Sequence, residues 1–314
     1  MIFLVKYHDG FCLYDTKLTE YRSTGSESAW KVDVMKRVAD ACHKAGLKLI
    51  VYYSQPDWHH PDYGTDRHDR YIEFLHGQVR ELLTNYGRID GLWFDLGGKP
   101  GDWNSVQLFK MARGLQPHLI INNRLGLPGD FDTPEQQIGK FQTHRPWESC
   151  ITLGTQWSWK PNDQIKTLKE CIDILVRCAA GDGNLALNTN LMPDGQIEPR
   201  QVERFREIGA WLKQYGQSVY GTRGGPYKPT QDIASTRKGN TVYIHVLNWS
   251  GDTVTLPNMP KKMLAASLLT GGTIEVKQDD RRLTIQVPAQ SRQEIDTIVK
   301  LDLNGPALDI PPLN

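Results

Sequence analysis

An excess of charge of either sign is missing from this chain. Its 314 residues carry 37 Lys and Arg against 36 Asp and Glu, a formal net charge of +1, with no long block of like charge. Nucleic acid or an anionic membrane surface is therefore a poor partner. Long hydrophobic runs are missing too. None approaches the roughly 20 residues that a membrane span needs, so no membrane partner is expected. Cysteine is sparse. The five (Cys12, Cys42, Cys150, Cys171 and Cys178) are odd in number and irregular in spacing, with no CxxC. That argues against a disulfide framework and against a zinc site. Cys171 and Cys178 lie on one face of an expected helix and read as core packing. The start MIFLVKYHDG has too short an apolar run, and no cleavage-like segment, for a signal peptide. The chain as given reads as cytoplasmic, or else as lacking its own N-terminus. His59, His60 and His68 miss the i, i+4 ligand spacing of a helix, so no metal is expected. In GDGNLALN (181–188) the glycines precede a strand instead of opening a helix, and no GxSxG occurs. No cofactor is expected.

What is present is alternation. Short apolar runs recur at 2–5, 47–53, 91–95, 119–123, 149–153 and 184–188, each rich in branched or aromatic residues. They suit parallel strands buried on both faces. Helical patterns lie between them. Tyr71, Phe74, Leu75, Val79, Leu82, Leu83 and Tyr86 share one face, and Gly87 stands at the C-terminal cap position. Met35, Val38, Cys42 and Ala45 mark an earlier helix, ended by Gly46. Ile165, Leu168, Cys171, Ile172, Leu175 and Cys178 mark a later one. Strand–helix repeats of this spacing predict an α/β fold, a TIM-type (β/α) barrel, although six strands are counted where eight close a barrel. After residue 222 the texture changes to short β-rich runs at 241–249, 252–257, 264–269, 272–278 and 282–288. These predict a small antiparallel β-sandwich. The expected division is 1–222 for the barrel-like domain and 223–314 for the sandwich, with a loose Pro-rich tail.

A barrel of this kind places its chemistry at the C-terminal strand ends. After the first run come Lys6, Tyr7, His8 and Asp9, and after the second Tyr52, Tyr53, Asp57 and Trp58. The third, GLWFD, ends at Asp95, with Trp93 two residues earlier on the same face. A carboxylate beside a Trp-Phe pair is costly unless it is used, either to cap the following turn or to do chemistry. Asn122, Asn123 and Arg124 follow the fourth run. Asp132, Glu135, Trp147, Glu148, Trp157 and Trp159 come next. Aromatic rings stack on sugar faces, polar groups fork onto hydroxyls, and a carboxylate pair cleaves a glycosidic bond.

These motifs resemble a known family. KYHDGFCLYDTKLTEY, AGLKLIVYYSQPDW, YGRIDGLWFD, IINNR, WESCITLGTQWSW, GNLALN and IGAWLKQYGQSVYGTR resemble, in the same order, the α-L-fucosidases of glycoside hydrolase family 29. The likeness covers about residues 5 to 230. It implies a retaining exo-hydrolase that removes terminal α-L-fucose from a fucosylated oligosaccharide or glycoconjugate. It implies Asp95 as nucleophile and Glu135 as acid/base, with Glu148 the second candidate for that role. Tyr7, His8, Tyr52, Trp58, Trp93, Arg124, Glu148 and Trp159 would line the sugar site. Tyr7 stands where the family has His. The family also begins with a further strand-bearing segment, ahead of where this chain starts. An open barrel, an edge strand at 2–6 and a homo-oligomer are expected from that. A non-hydrolytic sugar-binding relative is the alternative.

Overall fold

A computed structural model describes residues 1–313, which group into two compact units, Met1–Thr133 and a second beginning at Pro134. The first unit alternates strand and helix: β1 (Ile2–Lys6), α1 (Val34–Ala45), β2 (Ile50–Tyr53), α2 (His68–Asn85), β3 (Gly91–Phe94), α3 (Ser105–Leu115) and β4 (Ile120–Ile121). The strands form one parallel sheet in the order β1-β2-β3-β4. Helix ends follow their local chemistry. Asp33 accepts from the Lys36 N–H at 2.9 Å to start α1, and Gly46, at φ 68°, ends it. Gly87, at φ 71°, follows α2 in the left-handed conformation that suits glycine.

The register sorts the side chains. Val5, Val51, Tyr53, Leu92, Phe94 and Ile121 turn to the helices and form one core with Met35, Leu75, Val79, Leu82 and Leu108. Full burial of such side chains is worth about 1.5–3 kcal/mol each, so this face holds the sheet on its helices. Leu4, Tyr52 and Trp93 pair across the opposite face. Contrary to the expectation of strands buried on both faces, that face is not closed over throughout. Ile2, Leu4 and Ile120 are exposed there.

The second unit contains β5 (Glu148–Thr152), α4 (Leu168–Ala180), β6 (Asn184–Asn188) and α5 (Pro199–Tyr215), with β5 and β6 a parallel pair. All six expected parallel strands therefore form. A capping box starts α4, Thr167 and Glu170 each accepting from the other's backbone N–H. Then follow β7 (Arg223–Gly224), β8 (Ile233–Lys238), β9 (Thr241–Val246), β10 (Thr253–Pro257), β11 (Met263–Leu268), β12 (Glu275–Gln278), β13 (Arg282–Gln286) and β14 (Thr297–Leu303). They make two antiparallel sheets, β11-β14-β9-β8-β7 and β10-β13-β12.

Val242, Ile244, Leu283, Ile285, Val299 and Leu301 belong to the core that these sheets share. The alternate residues of the larger sheet, Tyr243 and Ile298 among them, pack with Ile172 and Val176 of α4 and Trp211 of α5. The larger sheet is thus covered on both faces, and the core that covers its second face runs across residue 222. The C-terminal stretch is not the loose tail expected. Ala307 and Ile310 are buried, and their carbonyls accept from the Arg237 guanidinium. Among the described residues, no helix is long and apolar enough to cross a membrane.

Candidate active site

The C-terminal ends of β1 to β4 converge on Asp95. Its carboxylate is largely buried, and its two oxygens have different surroundings. Oδ1 accepts from the Leu96 N–H at 2.6 Å and lies 3.7 Å from the Arg124 guanidinium. Oδ2 accepts from the Tyr52 hydroxyl and lies 3.5 Å from His8 Nε2. Oδ1 thus caps the following turn, while Oδ2 faces Tyr52 and His8. Burial, then the hydrogen bond and charge of Asp95, push the Tyr52 phenol well above its ordinary pKa, so Tyr52 remains a donor.

His8 is oriented from behind. Its Nδ1 meets the Ser54 hydroxyl, which itself donates to the Pro56 carbonyl at 3.2 Å. With the Ser54 hydrogen so placed, Nδ1 carries a proton and donates to Ser54. A neutral ring in this tautomer turns the Nε2 lone pair toward Asp95, whereas an imidazolium donates to it.

Aromatic rings wall the carboxylate. Tyr52 and Trp93 stack at 4.9 Å and 12°, and the Arg124 guanidinium lies over Trp93 at 5.4 Å. Tyr7 stacks on His8 at 3.9 Å, and Trp58 lies 5.2 Å from His8 on its own ring contact. The Trp93 indole N–H is buried and has no acceptor among the described residues. Arg124 is held in place by Thr133, whose hydroxyl and carbonyl accept from it at 2.8 and 2.9 Å.

Two strand-end residues prove structural. Tyr53 faces the helix core and donates to Gln78 at 2.7 Å. Asp57 receives the buried Lys6 ammonium at 3.1 Å and caps the His59 and His60 N–H groups at 3.1 and 2.9 Å. Burial lowers the pKa of Lys6, and Asp57 opposes that. The pair fixes the loop that presents Trp58, 69% exposed, at the rim.

A model of the α-L-fucosidase family matches residues 1–217. The chain belongs to that family. Among relatives, it is 28% identical to human (Homo sapiens) plasma α-L-fucosidase over 83% of its own length, and spans 62% of that protein. It is 23% identical to the α-L-fucosidase of Branchiostoma floridae, over 92% of this chain and 71% of the relative. Among solved structures, α-L-fucosidase isoenzyme 1 from Paenibacillus thiaminolyticus superposes with TM-score 0.81 at 33% identity, covering 96% of this chain and 82% of the other. A trapped covalent intermediate of the family 29 enzyme from Bacteroides thetaiotaomicron, with 2-fluoro-fucosyl fluoride, gives 0.81 at 25% identity, covering 97% and 78%.

Of the residues expected to line a fucosidase site, the first unit brings together Asp95, Tyr7, His8, Tyr52, Trp58, Trp93 and Arg124. The remaining candidates belong to the second unit. Glu135 is exposed, in an extended segment bridged to Cys150 of β5. Glu148 opens β5 and is half-buried, as is Trp159. Trp157 and Trp159 sit on a loop that Asn190 holds by the Gln156 and Ser158 carbonyls at 3.1 and 2.8 Å. Sequence reading passed over Ser54, Gln55 and Thr133. The signal was faint: uncharged polar residues at strand ends, which propensity assigns to turns. Among the described residues, no cluster of three or more His, Cys, Asp or Glu could hold a metal ion.

Proposed function

We propose that this chain hydrolyses terminal α-L-fucosides of fucosylated oligosaccharides or glycoconjugates with retention of configuration. The carrying observation is the buried Asp95 carboxylate, which accepts from Tyr52 of the Tyr52–Trp93 stack and lies 3.5 Å from His8 Nε2 and 3.7 Å from the Arg124 guanidinium. In this reading a carboxylate oxygen attacks the anomeric carbon while Glu135 protonates the departing oxygen. Glu135 then takes a proton from water, which releases fucose from Asp95. The covalent intermediate trapped in the Bacteroides relative supports the two-step course. Family membership supports the finer fold reading as well, a TIM-type (β/α) barrel followed by a β-sandwich.

Asp95→Ala should abolish turnover of an aryl α-L-fucoside, and azide should restore part of it by entering from the vacated side. Full activity in that variant would remove Asp95 from the role. Wild-type protein that binds fucose without turnover would favour the non-hydrolytic relative instead. Glu135→Ala should slow poor leaving groups far more than activated ones. If only Glu148→Ala does so, the acid/base is Glu148.

We also propose a homo-oligomer. Strand β1 ends its sheet, and Ile2 and Leu4 are exposed on it. Light scattering at micromolar concentration should give a multiple of 35.7 kDa, and a clean monomer removes the proposal.

A further inference from the structure

The ladder that aligns the strands stops short of the residues that matter. Strand β3 ends at Phe94 and β4 at Ile121, so neither Asp95 nor Arg124 is held by strand pairing. The chain beyond Asp95 is also irregular: Leu96, Gly97 and Gly98 all have positive φ, at 57°, 74° and 132°. A turn of this kind does not by itself define where Asp95 points.

One side chain reaches all of these points. Gln55, fully buried just past β2, accepts from the Asp95 N–H through Oε1 at 2.8 Å. Its Nε2 donates to the Gly97 carbonyl at 3.1 Å and to the Arg124 carbonyl at 3.2 Å. Its own carbonyl accepts from the Tyr71 hydroxyl of α2, which anchors it to the helix layer. The three partners fix the amide orientation, because an N–H needs the oxygen and two carbonyls need the NH₂. We propose that Gln55 is a positioning residue, which sets the Asp95 and Arg124 backbones in the geometry for attack on the sugar. This rests on the reading of Asp95 as the nucleophile.

The chemistry is specific to this amide. Met fills similar space with no donor and only a weak thioether acceptor. An ionised Glu turns a second oxygen on the two carbonyls, and only its protonated form can donate to one of them. Gln55 has no exposed surface, so each variant acts from beneath the site.

The test uses 2-fluoro-fucosyl fluoride with the 314-residue chain. An Asp95 oxygen bonds the anomeric carbon as the bond from that carbon to fluorine breaks; fluoride leaves with the electron pair and the 2-fluoro group stays on the sugar. Peptide mass identifies the labelled residue. Gln55→Met should lower the inactivation rate constant about 10–100-fold, the scale of a misplaced attacking group, with the inhibitor constant changed only a few-fold. Gln55→Glu should be slow at neutral pH and should approach the wild-type rate, measured at the same pH, as acid restores its donor. A thermal melt checks that each variant is folded. If Gln55→Met does not fold, the pH series on Gln55→Glu decides. Wild-type labelling at Asp95 with unchanged rates in the Gln55 variants overturns the positioning role alone. Wild-type protein labelled elsewhere, or not labelled, overturns the Asp95 assignment and this role with it.

Discussion

Arg124 shows how much one side chain carries at this site. Its Nε and one terminal nitrogen are committed to Thr133, its other terminal nitrogen faces Asp95, and its plane covers Trp93. Only a planar fork of donors can do these three things at once, and a Lys ammonium cannot. Arg124→Lys should therefore lower kcat/KM for an aryl fucoside about 100-fold, from the loss of roughly 3 kcal/mol of charge-assisted contact. A change under about threefold would mean that a cation alone suffices. Asp95, His8, Tyr52, Trp93 and Arg124 were legible as candidates, because charged and aromatic residues at strand ends are conspicuous. Gln55, Ser54 and Thr133 were not. Their roles lie in what they meet in space: Gln55 the Asp95 and Arg124 backbones, Ser54 the His8 ring, and Thr133 the Arg124 guanidinium.

At the scale of elements, the loop between β5 and α4 depends on one carboxylate. Asp163 accepts from the Thr155 hydroxyl, and from the Thr155 and Gln164 N–H groups at 2.8 and 2.9 Å. These bonds, the Thr155 hydroxyl first, hold its pKa below the ordinary carboxylate value. A depressed folded pKa means that the stabilisation is present above the unfolded value, near 3.9, and is lost as pH falls through the folded one. Below about pH 4 the Thr155 and Gln164 amides should therefore lose protection, measured as exchange relative to the intrinsic rate at the same pH, and Asp163→Asn should flatten that pH dependence. Identical exchange profiles in wild type and variant would rule this out. Helices α1, α2 and α4 were legible residue by residue, since a 3.6-residue period and a capping residue act locally. Strands β8 and β14 were not recognised. In β14, Thr297–Leu303 is almost wholly buried because both of its faces are covered, so no inside–outside alternation marks it.

For the whole chain, the C-terminal residues close a structural circuit. The Arg237 guanidinium is buried in β8 and donates to the carbonyls of Ala307 and Ile310. Tyr227 bridges to Leu313. Deleting residues 305–314 would leave a buried cation without those acceptors, at a cost of about 3 kcal/mol or more. The melting temperature should fall by roughly 10 °C, read by calorimetry. An unchanged melt would show that another acceptor replaces them. The division of the chain is likewise a matter of packing. Texture changes near residue 222, yet one core joins Leu153, Ile172 and Trp211 to Tyr243 and Ile298.

The sequence by itself determined what acts over a few residues: the alternation of apolar strand and amphipathic helix, the caps, and the placement of Asp95 past a strand. It also determined the family likeness, through motifs in a fixed order. Tertiary structure alone decided which faces are covered, that the C-terminal stretch is docked, and how the two oxygens of Asp95 are used. It decided, too, that a Gln past β2 meets the backbone past β3 and β4. The physical reason is range. Propensity and periodicity are set by neighbours along the chain. Burial and hydrogen-bond partnership are set by neighbours in space, and for Gln55 those at Asp95 and Arg124 lie 40 and 69 residues away in sequence.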